Sequence, residues 1–136
     1  MGKSQYTVML KLTSHPRTIA EIETFVERLA QQYKLGPDLH GNILISLTEA
    51  VNNAIIHGNC NDESKTVHIQ LRKQKNKLAI LVSDEGCGFN VQNLPDPTAP
   101  ENVFKIGGRG VFLMKELSDK IRFFNNGSTV EMQFNI

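Results

Sequence analysis

The stretch that decides the fold is "EAVNNAIIHGN", residues 49–59. Glu49, Asn53 and His57 recur there at intervals of four, so they lie side by side if the segment is helical. At 100° per residue the flanking helix separates into two arcs. The apolar arc is Leu44, Leu47, Val51, Ala54 and Ile55, and the polar arc is Asn42, Ser46, Glu49, Asn53 and His57.

The composition of the polar arc points to a site, although a face that simply meets water is the alternative. A solvated face usually carries Lys, Arg and Glu, whereas this one carries Asn and His, and Asn has low helix propensity. The adjacent oxygens of Glu49 and Asn53 suit Mg²⁺, which takes much of its shell from water and phosphates. Asn52 points about 100° away from Asn53 and is not expected to be a ligand. His57 either lines the same site or acts as a cation at the helix end.

Outward from this helix, the sequence predicts a strand order typical of a layered α+β domain. The predicted elements are a strand (6–12), two helices (14–36 and 37–57), two strands (66–74 and 77–84), a helix (111–119) and two strands (121–124 and 129–136). Helices grouped between hairpins predict a two-layer sandwich, with a mixed, mainly antiparallel sheet and helices on one face. No composition break divides the chain, so residues 1–136 are predicted to form a single domain.

Composition narrows the class of protein. The formal charge of the 136-residue chain is +1, which gives no basic footprint for nucleic acid. No segment reaches the length of a membrane span, and the start lacks the apolar core of a signal peptide. Cys60 and Cys87 form no CxxC motif and are expected to be reduced thiols. A cytoplasmic protein is therefore predicted.

A second chemical motif is "SDEGCGF", residues 83–89, which directly follows an apolar strand. A plain turn is the alternative interpretation, and the motif does not fit a calcium loop. The functional interpretation is a base pocket. Asp84 would accept a hydrogen bond from an exocyclic amine such as that of adenine, while Gly86 and Gly88 let the backbone approach a ligand closely.

A third motif is "GGRGVFLM", residues 107–114, in which glycines open a helix. Free N–H groups at a helix start favour phosphate, and Arg109 adds a planar donor. The alternative is a flexible linker before an ordinary helix start, and neither a P-loop nor GxGxxG is present. The segment 85–110 before this helix carries five of the ten glycines and three of the five prolines. Long irregular segments of this kind are usually functional.

Together these motifs resemble the GHKL ATPase superfamily, which includes gyrase and the histidine kinases. "EAVNNAIIHGN" resembles its N box, "DEGCGF" and "GGRGVFLM" its two glycine boxes, and "NGSTVEMQF" its closing strands. Within the superfamily the chain is most similar to the anti-sigma factor serine kinases, whose hallmark is Glu-Ala-x-x-Asn-Ala-x-x-His-Gly. The resemblance covers essentially the whole chain and implies a Bergerat-type ATP-binding fold.

The resemblance also implies roles for individual residues. Glu49 would be the general base, and Asn53 would hold the Mg²⁺ that bridges the ATP phosphates. Asp84 would read the adenine amine with support from Thr129. His57 matches the motif, but its role is less fixed.

The glycine boxes receive roles in the same way. Gly86 and Gly88 would shape the base side of the pocket. A mobile lid of roughly residues 90–108 would close over the phosphates, and the residues that contact them would be Gly108, Arg109 and Gly110.

The resemblance implies a protein serine/threonine kinase that uses Mg-ATP. Its expected partners are an anti-sigma factor antagonist of the STAS type and a competing sigma factor, and a homodimer is the family expectation. A nucleotide-gated binding module without kinase activity is the principal alternative, although such a module has no need of Glu49. The catalytic part of a histidine kinase is a weaker alternative, because no phospho-accepting helical hairpin precedes the first strand.

Overall fold

The computed structural model describes residues 7–13, 15, 17–60, 62–86 and 108–136. Its elements follow the predicted order. They are β1 (Thr7–Thr13), α1 (Thr18–Gln32), α2 (Pro37–Asn53), a π-helical turn (Ala54–Gly58), β2 (Thr66–Gln74), β3 (Lys77–Ser83), α3 (Gly108–Leu117), β4 (Lys120–Phe124), a 3₁₀ turn (Asn125–Gly127) and β5 (Thr129–Asn135). The predicted α+β class is confirmed.

The strands form one sheet in the order β1-β2-β3-β5-β4. Every described pair is antiparallel, so the sheet has no parallel component of the kind that a mixed sheet would contain. The apolar strand β3 is central, as its composition predicts. Its last residue, Ser83, pairs with Thr129 at the start of β5. The end of β3 and the turn before β5 therefore lie side by side at one end of these two inner strands.

The hydrophobic core lies between the helices and one face of the sheet. Alternate residues of β3 and β5, such as Ile80 and Met132, are fully buried there. They join one cluster with residues of the helices, such as Val26 of α1 and Leu47 of α2. This is the predicted two-layer arrangement. Among the described residues, no helix is long and apolar enough to cross a membrane.

Helix α2 begins as the sequence predicts and ends differently. Gly36 is extended before it (ψ 166°), and Pro37 occupies the first turn, where its missing N–H costs nothing. The regular α-helix ends at Asn53, and the next residues form a single π-helical turn. That turn is closed by the N–H of Asn59, which donates to the carbonyl of Ala54 at 2.7 Å.

Helix α3 packs against α2. The polar arc of α2 is consequently not a solvated face. Ser46, which belongs to that arc, is fully buried, and its hydroxyl has no hydrogen-bond partner among the described residues. The arc is covered at Ser46 and carries Glu49 and Asn53, both half-buried, further along.

Candidate functional site

The first turn of α3 lies directly against the polar arc of α2. A Cβ atom at position 110 would lie 2.9 Å from Oε1 of Glu49 and 3.2 Å from Nδ2 of Asn53. Only glycine allows both side chains to reach the helix start at their present positions. Two motifs that lie far apart in the chain, at residues 49–59 and 107–114, therefore meet at Gly110, and a carboxylate and an amide lie at a helix N-terminus.

A second close approach joins the end of α2 to the end of β3. A Cβ atom at position 58 would lie 2.1 Å from Oδ2 of Asp84, and one at position 86 would lie 1.4 Å from the carbonyl oxygen of Gly58. A side chain at position 86 would meet backbone, whereas one at position 58 would have to displace the carboxylate of Asp84. Gly58 leaves room for the Asp84 carboxylate at this end of β3, beside the helix that carries Asn53.

The carboxylate of Asp84 is partly buried and has one hydrogen-bond donor among the described residues. Its backbone N–H donates to the carbonyl of Ser128 at 2.9 Å, and its Oδ1 accepts from the N–H of Gly86 at 3.0 Å. Burial raises the pKa of Asp84, while the Gly86 N–H and the charge of Lys65 partly offset that rise. A ligand N–H donor would favour the ionised form and relieve the cost of its burial.

Asn59 supports this corner, and sequence reasoning missed it. The residue is fully buried, its Nδ2 donates to the carbonyl of Thr66 at 3.1 Å, and its Oδ1 accepts from the N–H of Glu85 at 2.8 Å. Glu85 in turn accepts from the N–H of Thr66 at 2.7 Å and from its hydroxyl, and these hydrogen bonds lower the pKa of Glu85. The available signal was an amide directly after Gly58, where a buried polar side chain needs partners.

A narrow cleft runs between α2 and the sheet beside Asp84. Its lining consists of Ala50, Asn53, Ala54, Val82, Asp84, Met114, Phe123, Gly127, Ser128 and Val130. The free volume is about 20 Å³, the space of one or two water molecules. A larger cavity of about 540 Å³ lies between α1 and β1, but none of the predicted site residues lines it.

Thr129 is not placed beside the cleft. Its neighbour Val130 lines the cleft, and alternation along β5 turns Thr129 to the opposite face of the sheet. There its hydroxyl donates to Oγ of Ser83 at 3.3 Å and accepts from Nδ2 of Asn125 at 3.3 Å. Gly127, Ser128 and Val130 are the residues of this segment that line the cleft, so the position of Thr129 does not match its predicted contact.

His57 does not continue the spacing of Glu49 and Asn53. The four-residue interval holds only while the helix remains α, and the π turn begins at Ala54. His57 is half-buried within that turn and does not line the cleft. Single π turns are frequent at functional sites because they change the direction of the side chains that follow.

The remaining predicted residues are described in part. Gly108 and Arg109 form the first turn of α3, of which the structure describes the backbone. Gly86 lies at the corner described above. Gly88 and the predicted lid up to residue 107 lie outside the described residues.

Comparison with known proteins identifies the family. Residues 12–134 match the family model of the histidine kinase-like ATPase domain. The chain belongs to the histidine kinase-like ATPase family. Similar curated proteins include the serine-protein kinase RsbW of Bacillus subtilis (strain 168), which is 28% identical over 132 residues, covering 92% of this chain and 82% of that protein. RsbW of Bacillus licheniformis is 26% identical over 139 residues (97% and 87%), and RsbW of Listeria innocua is 23% identical over 132 residues (92% and 84%).

Membership of this ATPase family confirms the predicted superfamily and the use of ATP. It also raises the question of whether the oxygens of Glu49 and Asn53, which lie beside Gly110, suit a metal ion that accompanies ATP. Among the described residues, no group of three or more His, Cys, Asp and Glu side chains could hold a metal ion. Mg²⁺ is commonly held by one or two protein oxygens together with phosphate oxygens and water. Glu49 and Asn53 fit a metal that arrives with the nucleotide.

Proposed function

We propose that this protein is a serine kinase that transfers the γ-phosphoryl group of Mg-ATP to a small partner protein. The observation that supports it most is the joint placement of Glu49 and Asn53 at Gly110, in the first turn of α3. The family supplies the ATP-binding domain, and the names of the similar RsbW proteins supply the class of reaction.

The N-terminal turn of α3 would receive the phosphates, because its free N–H groups and the helix dipole favour negative charge. Arg109 lies in this turn and would add a planar donor to the phosphate oxygens. Asn53 would contribute an amide oxygen to Mg²⁺, which neutralises charge on the phosphates. Phosphoryl transfer relies chiefly on this positioning and charge neutralisation.

Glu49 would accept the proton of the attacking hydroxyl. As the serine oxygen forms its bond to the γ-phosphorus, the bond from phosphorus to the bridging oxygen of ADP breaks, and the serine proton passes to the carboxylate. Glu49 is half-buried on α2 and shares the Gly110 contact with Asn53, so base and metal ligand lie one helical turn apart.

Asp84 would read the adenine amine at the other end of the cleft. Burial raises the pKa of this carboxylate, which indicates that its charge lacks full compensation by the protein. An exocyclic N–H₂ donor would supply that compensation. Gly58 and Gly86 would keep the carboxylate in place.

The partner in this proposal is an anti-sigma factor antagonist with a STAS-type domain, and a sigma factor competes for the same protein. Phosphorylation of the antagonist would break the first complex and free the kinase to hold the sigma factor. A homodimer and a cytoplasmic location belong to the same proposal.

The test is transfer of labelled phosphate from Mg-ATP to a STAS-type protein encoded by the same genome. The isosteric variant Glu49→Gln should keep ATP binding and lose transfer by about 100-fold or more, the usual share of a general base. Glu27→Gln, which changes an exposed carboxylate on α1, is the matched control and should transfer at the wild-type rate.

Unchanged transfer by Glu49→Gln would exclude Glu49 as the base. If the wild-type protein binds ATP and the STAS partner but transfers no phosphate, the nucleotide-gated binding module replaces the kinase.

A further inference from the structure

The face of the sheet opposite the helices carries a basic pocket of about 180 Å³. Its six lining residues come from four strands and include three cations but no acid. They are Arg72, Gln74, Lys77, Ala79, Lys120 and Gln133.

Strand register explains why these residues meet. Arg72 pairs with Ala79, Ala79 with Gln133, and Gln133 with Lys120, so the four form one row across β2, β3, β5 and β4. Ala79 has a short methyl side chain and is only 3% exposed, so it forms the floor between longer neighbours. Lys77 lies two residues before Ala79 on β3 and therefore projects to the same face.

A buried carboxylate, that of Glu131, contacts two of the side chains that line the pocket. Glu131 is 1% exposed, and its Oε1 accepts from Nη2 and Nε of Arg122 at 2.9 and 3.1 Å. The same oxygen accepts from Nε2 of Gln133 at 3.1 Å, and Oε2 lies 3.6 Å from Nη2 of Arg72. Glu131 thus orients two lining side chains, and its own charge is balanced by two arginines.

A positive surplus remains at the pocket after this balance. Among the described residues, both ion pairs belong to Glu131, and neither engages Lys77 or Lys120. Asp119 directly precedes Lys120, and its Oδ2 accepts from the backbone N–H of Asn135, the strand partner of Lys77, at 2.7 Å, so its charge offsets part of this surplus. Clustered cations around a polar concavity attract anions, and Arg and Gln supply directed N–H donors.

We propose that this pocket binds a phosphate-sized oxyanion, at a site separate from the nucleotide site. The two sites lie on opposite faces, because Ala79 and Gln133 alternate along their strands with Ile80 and Met132 of the core. Free phosphate and the phosphate group of a small ester present the same chemistry to Lys77 and Lys120.

The test is a titration of the full chain with inorganic phosphate, followed by backbone amide NMR shifts, at constant ionic strength set with chloride. Saturable shifts at Ala79 and Gln133 are expected. A second titration with glycerol phosphate distinguishes free phosphate from a phosphate ester as the ligand. Binding of both compounds identifies a site for phosphate groups in general, and binding of inorganic phosphate alone identifies a site for the free anion. Lys77→Gln and Lys120→Gln should each raise the Kd about three- to fivefold, as expected for exposed charge pairs.

Three further variants distinguish this site from others. Ala79→Leu fills the floor and should abolish saturation without removing any charge, while Lys34→Gln, an exposed lysine after α1, should bind as the wild type does. Asn53→Ala alters the nucleotide site and should also leave phosphate binding at this pocket unchanged. Absence of saturable shifts at Ala79 and Gln133, or a wild-type Kd in the Lys77→Gln, Lys120→Gln double variant, overturns the proposal.

Discussion

The carboxylate of Asp84 lies so close to the α-carbon of Gly58 that a methyl group at position 58 would overlap it, with Cβ 2.1 Å from Oδ2. This contact joins the last residue of the π turn to the first residue after β3. The two motifs that the sequence presents separately, one on a helix and one after a strand, are therefore one structural unit at this edge of the sheet.

Gly58→Ala should displace Asp84 and weaken ATP binding. We expect a loss of about 1–3 kcal/mol in the free energy of unfolding, the usual cost of overpacking, measured by urea denaturation. ATP should no longer raise the melting temperature. Gly86→Ala should cost more, because its Cβ would lie 1.4 Å from the carbonyl oxygen of Gly58, a backbone atom that cannot rotate away. Wild-type stabilisation of Gly58→Ala by ATP would contradict this interpretation of the contact.

Gly110→Ala should separate activity from stability. The new methyl group would meet the ends of Glu49 and Asn53, which are flexible side chains, so the fold can accommodate it. Alanine also favours the helix by up to about 1 kcal/mol over glycine. We expect a melting temperature at or above that of the wild type, together with a fall in phosphate transfer of roughly tenfold or more from displacement of the base.

Gly41→Ala is the matched control for this variant. It lies within α2, and a Cβ atom there would meet nothing within 4 Å. It should stabilise the protein and leave transfer unchanged. If Gly110→Ala behaves in the same way, the close approach of α3 to Glu49 has no part in the reaction.

Asp84→Asn should change stability and ligand binding in opposite directions. Burial raises the pKa of Asp84 above its usual value of 3.8, so the folded chain keeps a proton that the unfolded chain releases. The contribution of Asp84 to the stability of the fold is fully present below pH 3.8 and is lost as the pH rises through the raised pKa. At pH 7 the variant should therefore be as stable as the wild type or slightly more stable. The gain in the free energy of unfolding should stay below about 1 kcal/mol, because the carboxylate is only partly buried.

The same variant should not be stabilised by ATP, because the amide no longer offers a charged acceptor to the adenine amine. Urea denaturation of both proteins between pH 4 and 7.5, with and without ATP, measures both effects. Equal stabilisation of the two proteins by ATP would remove Asp84 from the base site.

Asn59→Ala should loosen the corner that holds Asp84. The substitution leaves the carbonyl of Thr66 and the N–H of Glu85 without their amide partner in a buried place. We expect a loss of about 2–4 kcal/mol, from two hydrogen bonds and the desolvation of the groups left behind. Asn59→Asp should retain an acceptor for Glu85 but no donor for Thr66, and hydrogen exchange at the Glu85 amide should stay slower than in Asn59→Ala. Equal exchange in both variants would show that this hydrogen bond does not hold the corner.

The order of helices and strands could be predicted because each element carries its own periodicity. The run of apolar residues in β3 predicts a central strand, and Pro37 with Asp38 predicts the start of α2. The spacing of Glu49 and Asn53 likewise predicts that both lie on one arc. These features depend on residues close together in the chain, and the structure confirms them.

Other features depend on contacts that no local pattern contains. Ser46 belongs to the polar arc but is fully buried in the folded protein, where α2 packs against both α1 and α3. Thr129 is one residue out of place for the cleft, because strand alternation depends on where β5 starts. His57 leaves the four-residue spacing because the helix becomes π at Ala54.

The sequence by itself determined the class of fold and the family, and it proposed the polar residues of the site, because helix and strand periods and short motifs depend on neighbouring residues. Only the tertiary structure decided which of these residues meet. Gly110 lets Glu49 and Asn53 reach the start of α3, and Gly58 leaves room for Asp84. Asn59 links the start of β2 to Glu85, which follows β3. The contacts at Gly110 and Gly58 depend on the absence of a side chain. The sequence shows that glycine is present, but only the packing of the elements shows which atoms occupy the space beside it.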